Sequence, residues 1–148
     1  MDRKPRVLFL CTHNAARSQL AEGIMRDLAE GEVEVFSAGT EPAAVHPLAV
    51  QALKELGIDA GTQRSKHVNE FANQAFDYVI TLCESAREAC PVFPGDPERI
   101  HWGFPDPGAV VGTEDERLRA FRQTAQELNL RLRPFLLIVE RGAKRSLA

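Results

Sequence analysis

Residues 6 to 10, RVLFL, form an apolar run too short for a helix and too continuous for a strand with one wet face. Such a run reads as a strand covered on both sides, which requires a sheet with further structure above and below it. The segments that follow fit that demand. From Ser18, Leu20, Ile24 and Leu28 recur at helical spacing with Ala21 and Met25 beside them, predicting an amphipathic helix over residues 18–30. EVEVFSAG, residues 32–39, alternates as a strand does and stops at glycine. Pro47 opens a second helix, with Val50, Leu53 and Leu56 expected to face inward and Gly57 at its C-terminal side.

FDYVITL (76–82) is a third strand rich in β-branched and aromatic residues, and RIHWGF (99–104) a fourth. The last helix opens with a capping box, Thr113 with Glu116. Leu118, Phe121, Ala125, Leu128 and Leu132 line one face, and Pro134 is expected to interrupt or kink it. Strands alternating with helices, without repeats or linkers, predict an α/β fold. The expectation is a three-layer sandwich around a four-stranded, mainly parallel sheet, with residues 1–148 forming one domain. Sheets of this kind bind ligands at the C-terminal ends of their strands. Cys11 falls at such an end.

Composition narrows the function. The chain is 44% hydrophobic and 26% charged with a net charge of -3, which gives no reason to expect a nucleic-acid partner. Arg141, Lys144 and Arg145 read as a solvated or frayed tail. No stretch approaches the roughly 18 apolar residues of a membrane span, and VLFLC is too short for a secretion signal, so a cytoplasmic, monomeric protein is expected. Three cysteines cannot all pair within one chain, so the thiols are buried residues, ligands or reactive groups. Metal ligation is not expected, because no Cys-x2-Cys pair occurs and His13, His46, His67 and His101 are scattered.

CTHNAARS, residues 11–18, carries the chemistry. A turn from strand to helix offers unpaired backbone N–H groups and the positive end of the helix dipole. Together, Thr12, His13, Asn14, Ala15, Ala16, Arg17 and Ser18 can form an oxyanion-binding loop. Arg17 adds a fork of donors whose charge does not titrate away. The same field favours thiolate over thiol at Cys11, to which Ser18 can donate a hydrogen bond. Asn14 suits the left-handed backbone that such a cradle uses.

The Cys-x5-Arg-Ser arrangement resembles the signature of low-molecular-weight protein tyrosine phosphatases and of the arsenate reductases that share their fold. The resemblance implies that Cys11 attacks the central atom of the anion and that Asp106, before Pro107 in HWGFPDPG, protonates the leaving oxygen. Following the fourth strand, Asp106 is expected at the same sheet edge as Cys11. Cys83 and Cys90, in TLCESAREACP, are similar to the two further thiols of thioredoxin-coupled arsenate reductases. That likeness implies arsenate as substrate, a relay of oxidation from Cys11 through Cys83 to Cys90, and thioredoxin as external reductant with no bound cofactor.

One departure, one geometric consequence and two rivals accompany it. Where some of these reductases bind potassium through Thr-Ser-Asp, this chain has Arg64, Ser65 and Lys66; the Lys66 ammonium takes the cation's place or the segment is a solvated basic loop, and potassium is not expected as a cofactor. ESAREA favours a helix; seven helical residues turn about 700° and would separate Cys83 from Cys90 by about 10.5 Å along the axis. A disulfide needs Cα atoms within roughly 7 Å, so oxidation is expected to unwind residues 83–90. The nearer rival is a phosphatase that leaves Cys83 and Cys90 idle, against which Gly108 stands where such phosphatases usually place a tyrosine. The other is a non-catalytic oxyanion- or redox-responsive binding protein, which has no use for a general acid.

Overall fold

The computed structural model describes residues 3–147, with side chains described through Gly142. Four strands, β1 (Arg6–Cys11), β2 (Glu34–Gly39), β3 (Tyr78–Thr81) and β4 (Glu98–His101), form one sheet in the order β2-β1-β3-β4. Every pairing is parallel. The helices are α1 (Arg17–Ala29), α2 (Pro47–Glu55), α3 (Glu84–Glu88) and α4 (Glu114–Leu147).

The apolar run of β1 is buried throughout because its two faces enter different cores. Val7, Phe9 and Cys11 point into a core shared with α1, α2 and α4; Leu8 and Leu10 enter a second one. This is the period-2 alternation of a central strand covered on both sides. The second layer is thinner than the first. It consists of α3, the 3-10 turn Val68–Phe71 and an aromatic cluster in which Phe36, Phe71, Phe76 and Phe93 meet edge to face.

Two local expectations change. In α2 the buried residues are Leu48, Ala49, Ala52 and Leu53, whereas Val50 and Leu56 are exposed. The inward stripe is two leucines and two alanines, which pack against α1 and α4. Pro134 does not end α4, which runs through it to Leu147. Pro134 and Leu130, whose carbonyl the proline leaves without a donor, are on the exposed side where water can serve, while Leu128, Leu132, Phe135 and Val139 continue the buried stripe. The capping box holds: the Glu116 N–H donates to Thr113 Oγ1 at 3.1 Å, and the Thr113 N–H donates back to Glu116 Oε1 at 3.3 Å. Of the tail, Arg141 is exposed, and the side chains of Lys144 and Arg145 lie outside the described residues.

The register fixes the working edge. Cys11 pairs with Gly39, Leu10 with Thr81, and Thr81 with His101, so the strands finish together. Among the described residues no helix is long and apolar enough to cross a membrane.

Candidate active site

The loop leaves β1 at Cys11 and turns into α1 at Arg17. Asn14 takes the left-handed conformation, with φ 49°, and is fully buried. Its amide nitrogen donates to Ser18 Oγ (2.7 Å) and Ser37 Oγ (3.0 Å), while its amide oxygen accepts from the Lys66 N–H (3.0 Å). One side chain thus ties the loop to α1, β2 and the segment after α2. The approach is so close that a Cβ on Gly39 would stand 2.6 Å from the Thr12 carbonyl oxygen, which is why β2 must end in glycine.

The loop's carbonyls are turned outward and satisfied. Thr12 O accepts from the Glu41 N–H, His13 O from Ala43, Asn14 O from the Gln19 side chain and Ala15 O from His46. The N–H groups of residues 13–18 donate to no protein group among the described residues. Ala16, the N-cap of α1, provides no side-chain cap, and the first turn holds no acid. The result is a ring of free donors at a helix N-terminus, as an oxyanion requires.

Arg17 closes the ring. Its side chain is 12% exposed; Nη1 donates to the Phe104 carbonyl at 3.0 Å and Nη2 stands 3.9 Å from Asp106 Oδ2. Its Nε is buried without a partner, an orphaned donor beside the loop. Asp106 is held by the Gly108 N–H at 2.9 Å and remains 40% exposed in its side chain. Cys11, Arg17 and Asp106 line one open cavity of about 320 Å³ together with His13, His46 and Gly108. Cys11 itself is 2% exposed, with its sulfur 2.8 Å from Ser18 Oγ.

Cys83 and Cys90 are free thiols, as is Cys11. Cys83 follows β3 as the extended N-cap of α3, and its sulfur lies 3.2 Å from the hydroxyl of Thr12, the residue next to Cys11. The helix expected to carry both cysteines covers only Glu84–Glu88, so Cys83 and Cys90 flank it and the 700° construction does not apply. Ala89 is already the C-cap and Pro91, which lacks an N–H, stops any extension. Two bonds span this turn, Arg87 N–H to Cys83 O at 3.1 Å and Ala89 N–H to Ser85 O at 3.0 Å. Cys90 is half-buried on β4's side, and burial pushes its thiol above the ordinary value while the Arg99 guanidinium pulls the other way.

Several supporting residues were not anticipated. His46 caps α2 through Nδ1, which accepts from the Leu48 N–H at 3.1 Å, and stacks on Phe121. Burial, with Arg117 nearby, moves it below the ordinary histidine range. His46-Pro47 is the N-cap and N1 pair that could have announced it. Glu22 is buried in α1 and receives the Ser37 hydroxyl; Lys66 Nζ stands 3.7 Å and Arg26 Nη1 2.9 Å from its carboxylate. The Lys66 ammonium, 10% exposed, also donates to the Arg64 carbonyl at 2.8 Å, so this side chain is held against Glu22 rather than extended into solvent. Burial lowers its affinity for a proton, and Glu22 opposes that.

A family model described as low molecular weight phosphotyrosine protein phosphatase matches residues 6–145. The chain belongs to that family. Within it, an arsenate reductase of Halalkalibacterium halodurans is 43% identical over 129 residues, covering 87% of this chain and 93% of its own. A solved thioredoxin-dependent arsenate reductase of Corynebacterium glutamicum superposes with a TM-score of 0.75 at 30% identity, over 94% of this chain and 63% of that one. A low molecular weight protein tyrosine phosphatase from T. tengcongensis gives 0.73 at 28%, over 93% and 99%. The α/β fold with its parallel four-stranded sheet is that of the family.

Proposed function

We propose that this protein reduces arsenate to arsenite by thiol chemistry and that thioredoxin regenerates it. The observation that carries the reading is the 3.2 Å contact between Cys83 Sγ and Thr12 Oγ1, which puts a second thiol against the nucleophile's loop. A phosphatase of the same fold has no role for that thiol, and Gly108 after Asp106-Pro107 supplies no aromatic wall for a phenyl ring. Relatives called arsenate reductases at 38% to 43% identity support the same substrate.

In this mechanism the free N–H groups of the loop and Arg17 hold the tetrahedral anion. The Cys11 thiolate attacks arsenic, and Asp106 gives its proton to the departing hydroxyl, which leaves as water. The Cys83 thiolate then attacks the Cys11 sulfur: the sulfur–arsenic bond breaks, its electron pair goes to arsenic, and arsenite leaves behind an 11–83 disulfide. Cys90 attacks Cys83, releasing Cys11 as thiolate. The 83–90 disulfide passes by exchange to the dithiol of thioredoxin.

Closing the last disulfide acts on the single turn of α3, so amide exchange across residues 84–90 is expected to accelerate in the oxidised protein. NADPH oxidation in the presence of thioredoxin and its reductase tests the function as a whole. It should proceed with arsenate and not with phosphate; equal, negligible oxidation with both, alongside efficient hydrolysis of an aryl phosphate, would establish the phosphatase instead.

A further inference from the structure

A second cavity, of about 350 Å³, opens between α3 and the edge strand β4. Its walls include Cys90, Arg87, Arg99, Thr81 and His101. Nothing in the proposed reduction uses its arginines. Arg99 is fixed by Nη2 donating to the Pro91 carbonyl at 3.0 Å, and its Nη1 lies 3.8 Å from the Cys90 sulfur. With five N–H donors in the fork, Arg99 keeps others free. Arg87, from the facing α3, meets Glu84 at 3.5 Å; Glu84 also faces His101 Nε2 at 3.4 Å, and the other ring nitrogen of His101 is occupied by Thr81 at 2.8 Å. One carboxylate therefore stands against two arginines and a histidine around a thiol.

We propose that Cys90 is a site of mixed-disulfide formation with small disulfides that carry carboxylates, which Arg99 and Arg87 recognise. The cavity lies within the size range of small-molecule sites and accepts one half of a peptide-sized disulfide. Planar guanidinium groups suit carboxylates, and a charged pocket raises the local concentration of an anionic reactant. The Cys90 thiolate attacks one sulfur of the disulfide, forming a bond between Cys90 Sγ and that half. The other half leaves as a thiolate and takes up a proton. The Cys90 sulfur is oxidised and the leaving half reduced, so the disulfide is the only oxidant needed. A capped Cys90 has no thiolate with which to attack Cys83, and a second thiol restores it by the reverse exchange.

The test is independent of arsenate chemistry. The Cys11→Ser/Cys83→Ser protein, with its fold checked by thermal unfolding, keeps Cys90 as its one thiol. Its rates with glutathione disulfide and with neutral hydroxyethyl disulfide are each divided by the rate of 2-mercaptoethanol with the same disulfide, which removes leaving-group and thiolate-fraction effects. The normalised rate for glutathione disulfide should exceed the neutral one by on the order of tenfold at low salt. It should fall towards parity at high salt and in the same protein carrying Arg87→Gln and Arg99→Gln. Equal normalised rates at low salt, or a preference that survives loss of both arginines, would overturn the proposal.

Discussion

Ser18 Oγ lies 2.8 Å from Cys11 Sγ and accepts the Asn14 amide N–H at 2.7 Å, all three groups being buried. When Cys11 is a thiolate it has no proton to give, so the Ser18 hydroxyl is the donor across this contact. Ser18→Ala removes that donor while Asn14 keeps its bond to Ser37. A hydrogen bond to a charged group contributes about 1.5–3 kcal/mol, so kcat should fall about ten- to a hundredfold with KM for arsenate little changed. Steady-state kinetics on the folded variant measure it.

Asp106→Asn keeps an oxygen for the Gly108 N–H and removes the transferable proton. The expected outcome is a loss of about 10² to 10⁴ in kcat with an unchanged melting temperature. A fall in both together would make Asp106 a turn residue only.

How much of this was legible in the sequence depends on range. The β1 run, the α1 stripe and the capping box of α4 are local patterns, and each appears where its residues placed it. Asn14's left-handed backbone was readable for the same reason. The Asn14 bond to Lys66 and the Cys83 contact with Thr12 join segments 52 and 71 residues apart, and no periodicity encodes them. α3 is shorter than helix propensity across ESAREA predicts, because Cys83 is extended at its N-cap and Pro91 blocks continuation. In α2 the inward face is Leu48, Ala49, Ala52 and Leu53, a helical stripe that leaves Val50 and Leu56 on the outer side.

Lys66 should make the protein indifferent to potassium. Wild-type activity is expected to match in potassium and sodium salts at equal ionic strength. Lys66→Met leaves Glu22 with Arg26 as its cation, so a loss of about 1–3 kcal/mol in urea-derived stability is expected. A steep wild-type rise with potassium alone would contradict the substitution of an ammonium for a metal ion.

Acid stability has an identifiable contributor. Arg122 donates to both oxygens of Glu55, at 2.6 and 2.7 Å, holding its carboxyl down at about 2 against an ordinary 4.5. A depressed folded-state value means the pair's contribution is complete above the ordinary value and is lost as pH falls from 4.5 towards 2. Glu55→Gln should therefore lower the melting temperature at neutral pH and leave it nearly unchanged at about pH 2. Differential scanning calorimetry at the two pH values checks the sign.

The relay is tested most directly with the Cys90→Ala protein, fully reduced, mixed with excess arsenate and analysed for arsenite and for disulfide-linked peptides by mass spectrometry. The expected result is about one arsenite per protein with Cys11 and Cys83 joined, and no further turnover with thioredoxin. Arsenite formed while Cys11 and Cys83 remain free thiols, or continued cycling with thioredoxin, would contradict transfer of oxidation between those two sulfurs.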